Sequence, residues 1–160
     1  MKPTTFRLAQ LDDARLVSEI SKRAYIPAYA AIIGAAPKPA HEDYSARIMA
    51  GCVWIVDVRH EPAGVLVVEK ELDFLMIYSV AVDPSYQGQG LGAKLLRHAE
   101  GIATLEGVGE LRLYTNSRME KNLSIYRKAG FTEQGQRPHP SRPGELLIDM
   151  SKKVSATEVR

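Results

Sequence analysis

The sequence predicts an α/β fold, a mixed central β-sheet with helices on both faces, and three observations carry the prediction. Runs rich in β-branched residues alternate with runs whose apolar residues fall at helical spacing. One long strand-like run, FLMIYSVAV, passes through a turn directly into an amphipathic helical run. The chain of 160 residues is 45% hydrophobic, enough to fill one core, and a single domain over residues 1–160 is expected on the prior of roughly 100 to 200 residues per domain.

Thr5 to Ala9 reads as a first strand. Asp12-Asp13 then opens an amphipathic helix through Leu16, Ile20 and Ala24, with its acids where the helix dipole favours them. A second helical stretch is expected between Pro27 and Ile33 and a third between His41 and Met49, with Tyr44 and Ile48 inward and the Pro37–Pro39 segment separating them. Cys52–Val58 and Gly64–Glu69 read as a hairpin joined by the turn RHEP, because β-branched residues dominate both. Phe74–Val82 is the long strand. From Leu91 the apolar positions Leu95, Ala99, Ile102 and Ala103 mark a helix to about Leu105. Glu110–Thr115 alternates as a strand, Met119, Leu123, Tyr126 and Ala129 line one face of a further helix, and Gly130 stands where a C-terminal cap belongs. Phe131–Gln134 and Glu145–Met150 complete the strands, with the Pro-rich Arg137–Gly144 as the loop between them.

Composition narrows the function classes. With 21 basic and 19 acidic side chains and no block of like charge, the sequence implies no nucleic-acid partner. A single cysteine, Cys52, excludes an internal disulfide and a Cys-rich zinc site and suits a reducing compartment, so the cytoplasm is expected. Beside Trp54 on a strand, Cys52 reads as a small buried hydrophobe. The N-terminus lacks an apolar signal core, and the longest apolar stretch, Ala28–Ala36, falls short of the roughly 20 residues of a bilayer span, so no membrane partner is expected. His41, His60 and His98 share no metal-ligand spacing with another His or Cys, and no metal is expected.

Tyr86–Gly92, YQGQGLG, puts three glycines at the strand-to-helix junction. Unpaired N–H groups at a helix start, next to the positive end of its dipole, form a natural phosphate site. A dinucleotide fold would want G-x-G-x-x-G and an acid ending the next strand, whereas the spacing here is Gly88-x-Gly90-x-Gly92 and Glu110 precedes its strand. A P-loop would end in Gly-Lys-Ser/Thr, whereas Gly92 is followed by Ala93-Lys94-Leu95. A glycine-rich turn without a ligand and a cofactor with a pyrophosphate arm are the other readings.

Gln87-Gly88-Gln89-Gly90-Leu91-Gly92 resembles the Q/R-x-x-G-x-G/A signature of the GNAT superfamily of N-acetyltransferases. Ser79–Leu96 resembles that family's fourth strand, turn and main helix. Glu120-Lys-Asn122-Leu-Ser-Ile-Tyr126-Arg-Lys-Ala-Gly130-Phe131 resembles the pattern of an asparagine, a tyrosine and a Gly-aromatic pair that follows its fifth strand, and LLIDMSKKV resembles its closing strand. The resemblance implies that acetyl-CoA is the co-substrate. Its pyrophosphate would be held by Gln87, Gly88, Gln89, Gly90, Leu91, Gly92 and Ala93, and its pantetheine arm by main-chain groups of Val80, Ala81 and Val82.

By the same resemblance Tyr126 is the acid that protonates the departing thiolate, where spacing alone reads it as a core tyrosine. Asn122, one turn earlier, either bonds the cofactor arm or is a solvated helix residue. Arg118, Lys121, Arg127 and Lys128 are open to a 3′-phosphate or to solvent. The family's fourth-strand glutamate, its general base, is missing at Tyr78-Ser79, which leaves a water chain, Asp73 or His139 for that task. Tyr25, Tyr29, Tyr78 and His139 are expected to line the acceptor side, and a homodimer is expected by family habit. The activity implied is acetyl transfer to a primary amine of a small molecule by direct attack. The alternatives are a protein lysine or N-terminal acetyltransferase and a non-catalytic acyl-CoA binding module.

Overall fold

A computed structural model describes residues 3–155, so the two ends of the expected 1–160 domain lie outside the described residues. Its elements are β1 (Thr4–Leu8), α1 (Ala14–Ile32), α2 (Ser45–Met49), β2 (Val53–Val58), β3 (Glu61–Lys70), β4 (Leu75–Val82), α3 (Leu91–Glu106), β5 (Glu110–Asn116), α4 (Glu120–Lys128), β6 (Thr132–Pro138) and β7 (Leu146–Lys153). The seven strands follow the order β1-β2-β3-β4-β5-β7-β6 in one mixed sheet. β4 and β5 run parallel, while β1 with β2, β2 with β3, β5 with β7 and β6 with β7 run antiparallel. Two compact units divide the chain: one runs to Glu69 and takes in Tyr78–Leu95, the other holds Lys70–Ile77 and the chain from Leu96 onward.

In the first unit α1 buries Val17 and Ile20 against Val53 and Ile55 of β2 and Val65 and Val67 of β3, with Tyr44 and Ile48 closing the cluster. Each such side chain contributes about 1.5–3 kcal/mol when fully removed from water. On the other face the sheet meets the start of α3. A Cβ on Gly64 would lie 3.0 Å from Val56 Cγ1, 3.0 Å from Ala81 O and 3.3 Å from Leu95 Cδ1. Only a residue without a side chain lets the helix sit so close.

The β2–β3 hairpin closes on two residues, Arg59 and His60, with φ of 51° and 69°, which is the backbone of a type I′ turn. Glu61 and Pro62, expected in the turn, already belong to β3, and a bulge in the register between Val56 and Asp57 accommodates Ala63. The expected break at Pro27 does not occur. α1 runs through it as one helix of 19 residues, because Ser21 and Tyr29, two turns apart on one face, are buried on either side of it and Pro27 itself is exposed, where the carbonyl it leaves without a partner is open to solvent. Cys52 is half-buried just before β2, with its thiol toward Ala50 O, rather than inside the core.

In the second unit β5 alternates, with Leu111, Leu113 and Thr115 inward, and pairs along its length with β7. β6 is the outer neighbour of β7 and extends to Pro138, two residues into the expected loop, since an edge position spares proline the ladder bond it cannot donate. No helix among the described residues is long and apolar enough to cross a membrane.

Candidate active site

β4 ends in a tightly tied turn. Asp83 accepts the Ser85 N–H at 3.0 Å and the Arg23 Nε–H at 2.8 Å. Burial alone would raise the Asp83 pKa, but the Ser85 N–H and the Arg23 guanidinium outweigh it and hold the carboxyl below its ordinary value. After the single 3₁₀ turn Pro84–Tyr86, Gly88 and Gly90 take φ of +80° and +79°, which side chains with a Cβ disfavour. The Gly90 carbonyl accepts the Lys94 N–H at 3.2 Å, which makes Gly90 the N-cap of α3. The N–H groups of Leu91, Gly92 and Ala93 then have no intrahelical acceptor, and Gly90 has no side chain to supply one. A Cβ on Gly88, Gly90 or Gly92 would meet nothing within 4 Å. Bare donors, a positive helix end and open space above them suit an anion such as pyrophosphate.

The last residues of β4 carry a second set of main-chain groups. The Asp83 N–H donates to Ala63 O of β3 at 2.8 Å, and Ala81 O faces Gly64 of the same strand. Val80 and Val82, the alternate residues, therefore aim their N–H and C=O groups away from β3. Among the described residues the register of β4 with β5 covers Leu75↔Leu111 and Met76↔Arg112. The carbonyls of Val80 and Val82 accept side chains, Val80 O from the Tyr25 hydroxyl at 3.2 Å and Val82 O from Gln87 Nε2 at 3.2 Å.

Three of the expected acceptor-side residues come together here. The Tyr25 hydroxyl lies 2.8 Å from Ser79 Oγ, and its ring meets Tyr29 edge-on at 5.9 Å. Tyr78, on the same strand, donates its hydroxyl to Glu42 Oε1 at 2.5 Å while the Arg47 guanidinium lies 3.8 Å over its ring. Burial and then the Glu42 carboxylate push the Tyr78 phenol well above its ordinary pKa. Glu42 and Arg47 were not legible from local pattern: a loop glutamate 36 residues from its tyrosine leaves no periodic signal.

Asn122, Tyr126 and His139 belong to the second unit. At the end of α4 the Phe131 N–H bonds Tyr126 O and the Gly130 N–H bonds Arg127 O, both at 3.0 Å, with Gly130 at φ +98°. That is a Schellman motif, and its usual apolar contact is present as the Tyr126 and Phe131 rings, 6.2 Å apart. The Gly-Phe pair thus fixes the last turn of the helix that carries Tyr126, and Asn122 lies one turn earlier, half-buried. His139 Nδ1 accepts the Ser141 and Arg142 N–H groups at 3.1 Å each, so the ring proton sits on Nε2 and neither nitrogen offers a free lone pair. Burial and Arg142 lower its pKa, which keeps it neutral. Asp73 is exposed in the turn before β4, at the opposite end of that strand from the glycines. Among the described residues no three His, Cys, Asp or Glu side chains gather to hold a metal ion.

Comparison with known proteins places this geometry. Residues 49–133, just over half of the chain, match the model of the acetyltransferase (GNAT) domain. Over 71 residues the chain is 34% identical to the ribosomal protein bS18-alanine N-acetyltransferase of Escherichia coli (strain K12), covering 44% of this chain and 48% of that protein. It is 32% identical over 91 residues to the spermidine N(1)-acetyltransferase of the same organism, covering 56% and 43%. The chain thus spans about half the length of the curated relatives it matches. The PaiA N-acetyltransferase from Thermoplasma acidophilum, solved in complex with coenzyme A, shares the fold at a TM-score of 0.76 and 18% identity over 94% of this chain and 99% of that one. Because the domain match falls on the segment that holds β4, the glycine turn and α4, the question raised by the motif has its answer: this chain belongs to the acetyltransferase (GNAT) family.

Proposed function

We propose that the protein transfers the acetyl group of acetyl-CoA to a primary amine of a small molecule. The observation that carries the reading is the turn itself: positive φ at Gly88 and Gly90, three uncapped N–H groups at the start of α3 and open space where their Cβ atoms would be. In this reading the amides of Leu91, Gly92 and Ala93 hold the pyrophosphate, and the Val80 and Val82 N–H groups pair with the pantetheine arm and polarise the thioester carbonyl. Acetyl-CoA supplies an acyl group already activated as a thioester. Tyr126 gives its phenol proton to the sulfur as the amine takes the acetyl carbon. Asn122, on the same helix, orients the cofactor arm. The likeness to the spermidine enzyme supports a small amine, while the likeness to the bS18-alanine enzyme favours a second reading, a peptide α-amine. The cytoplasm is the compartment proposed.

Melting the protein with acetyl-CoA, NAD or ATP tests the cofactor. At about 100 times its dissociation constant a ligand adds roughly 2.7 kcal/mol, which for this size should raise the midpoint by about 5–10 °C. A shift with acetyl-CoA alone is expected, followed by thiol release with one or more of a panel of primary amines. A larger shift with NAD or ATP, or none with acetyl-CoA, refutes the reading.

A further inference from the structure

The strand positions at which the resemblance implies a glutamate hold Tyr78 and Ser79, and a carboxylate nevertheless reaches them. Glu42, in the segment before α2, accepts the Tyr78 hydroxyl proton on Oε1 at 2.5 Å. Its Oε2 takes Arg47 Nε, and its backbone carbonyl is held by the Ser18 hydroxyl of α1 at 3.3 Å. The Glu42 side chain is 17% exposed. Arg47 does not belong to Glu42 alone: it also reaches Glu69 Oε2 of β3 at 2.9 Å. Two carboxylates share one guanidinium, so the cluster keeps a negative charge available to a proton. Tyr44 also faces it, and burial raises that phenol to about 12, so it stays neutral. His41 and Asp43 flank Glu42 along the chain.

We infer that Glu42 receives the proton of the acceptor amine through the Tyr78 hydroxyl, and so stands in for the absent strand glutamate. The inference rests on the transferase reading above. As the amine nitrogen bonds to the acetyl carbon, its N–H proton passes to the Tyr78 oxygen while the Tyr78 proton crosses to Glu42 Oε1. The phenol is neutral before and after, Glu42 ends as the neutral acid, and its exposed edge returns the proton to water. A phenol whose pKa burial and a neighbouring carboxylate hold high transmits a proton without storing the charge. Arg47, stacked on the ring and bonded to Glu42, fixes both partners. His139 and Asp73 offer nothing comparable: one has its lone pair occupied and the other lies at the far end of β4.

The test uses Glu42→Gln, Tyr78→Phe and the double variant, with thiol release measured from acetyl-CoA and an alanine-initiated peptide, spermidine and a panel of primary amines. Loss of a positioned base lowers kcat/KM for the amine by roughly 10²–10⁴-fold, and each single variant is expected in that range with the acetyl-CoA melting shift kept. The rate of each variant should depend more steeply on the basicity of the acceptor amine than the wild type's does, because nothing then removes the proton as the nitrogen gains charge, and the double variant should be no slower than the worse single one. A Glu42→Gln or Tyr78→Phe rate within threefold of wild type, or a dependence on acceptor basicity parallel to it, overturns the relay. If wild-type protein binds acetyl-CoA but releases no thiol with any amine, the transferase reading falls and the relay with it.

Discussion

Replacing Gly130 with alanine tests whether the end of α4 is held as described. The residue sits at φ +98°, and a Cβ there would come within 3.1 Å of Lys152 Cε and 3.3 Å of its Nζ. The left-handed backbone costs a residue with a Cβ about 1–2 kcal/mol. Lys152 must also move, and it is engaged: Nζ donates to Ala129 O at 2.7 Å and pairs with Glu100 at 3.0 Å. A hydrogen bond contributes about 0.5–1.5 kcal/mol and a partly exposed ion pair about 0.2–1 kcal/mol, of which a flexible lysine recovers a part by swinging aside. The expected loss is about 2–3 kcal/mol, or a midpoint lowered by about 4–12 °C for a chain of this length. Urea unfolding should show it as a lower midpoint at unchanged slope. Gly130→Asn, which tolerates the left-handed region, should lose less, and in a Lys152→Met background Gly130→Ala should keep only its backbone share. A Gly130→Ala midpoint within experimental scatter of wild type would refute the Schellman assignment, and with it the account of how Phe131 positions Tyr126.

Four further outcomes follow from the same structure. Gly101 lies inside α3 with nothing within 4 Å of a Cβ, so Gly101→Ala should stabilise by about 0.5–1 kcal/mol in urea unfolding; a destabilised variant would mean that α3 packs differently there. Gly90→Ala should weaken the acetyl-CoA melting shift, because φ +79° is required at the N-cap, whereas Gly92→Ala should keep it, its backbone being outside the left-handed region; equal effects would show that the turn is not read by backbone angle. Asp13 and Asp83 both have folded pKa values below the ordinary 3.8, so the stability they contribute is present above that pH and lost as pH falls through the folded values. Urea midpoints taken from pH 6 to pH 2 should therefore drop below about pH 4, and Arg23→Gln, removing a half-exposed partner, should flatten the drop by less than about 1 kcal/mol. Tyr44 works in the opposite direction: its phenol is raised from 10.0 to about 12, so the neutral form stabilises the fold fully below pH 10 and loses up to about 3 kcal/mol as pH rises through 12. Tyr44→Phe should make midpoints less sensitive to pH between 10 and 12, and an unchanged slope would contradict the burial of that hydroxyl.

What was legible in the sequence is what local pattern encodes. β4 and α3 declared themselves because a buried strand and an amphipathic helix differ in period, and the glycines fell at the change. Gly130 was readable as a cap for the same reason: its position is defined by the apolar stripe that ends before it. Pro27 misled because the rule for proline concerns one hydrogen bond, while α1 is decided by a stripe that continues past it on the buried side. The insertion of β7 between β5 and β6 has no local signature, since pairing across the sheet is settled by which strands bury which faces. Glu42 was missed on similar grounds. Its meaning comes from Tyr78 and Arg47, and neither partner marks it in the sequence.

The turn at Arg59 and His60 bears on how the protein tolerates change. Two bulky residues occupy a bend that asparagine and glycine would fill with less strain, yet β2 and β3 are among the most completely buried strands of the chain. Their alignment is therefore dictated by what lies under them, and the tip is a passenger. Such a tip is a permissive locus, suited to a grafted peptide, a reporter or new chain ends joined elsewhere, because the strands on either side hold their places without its help.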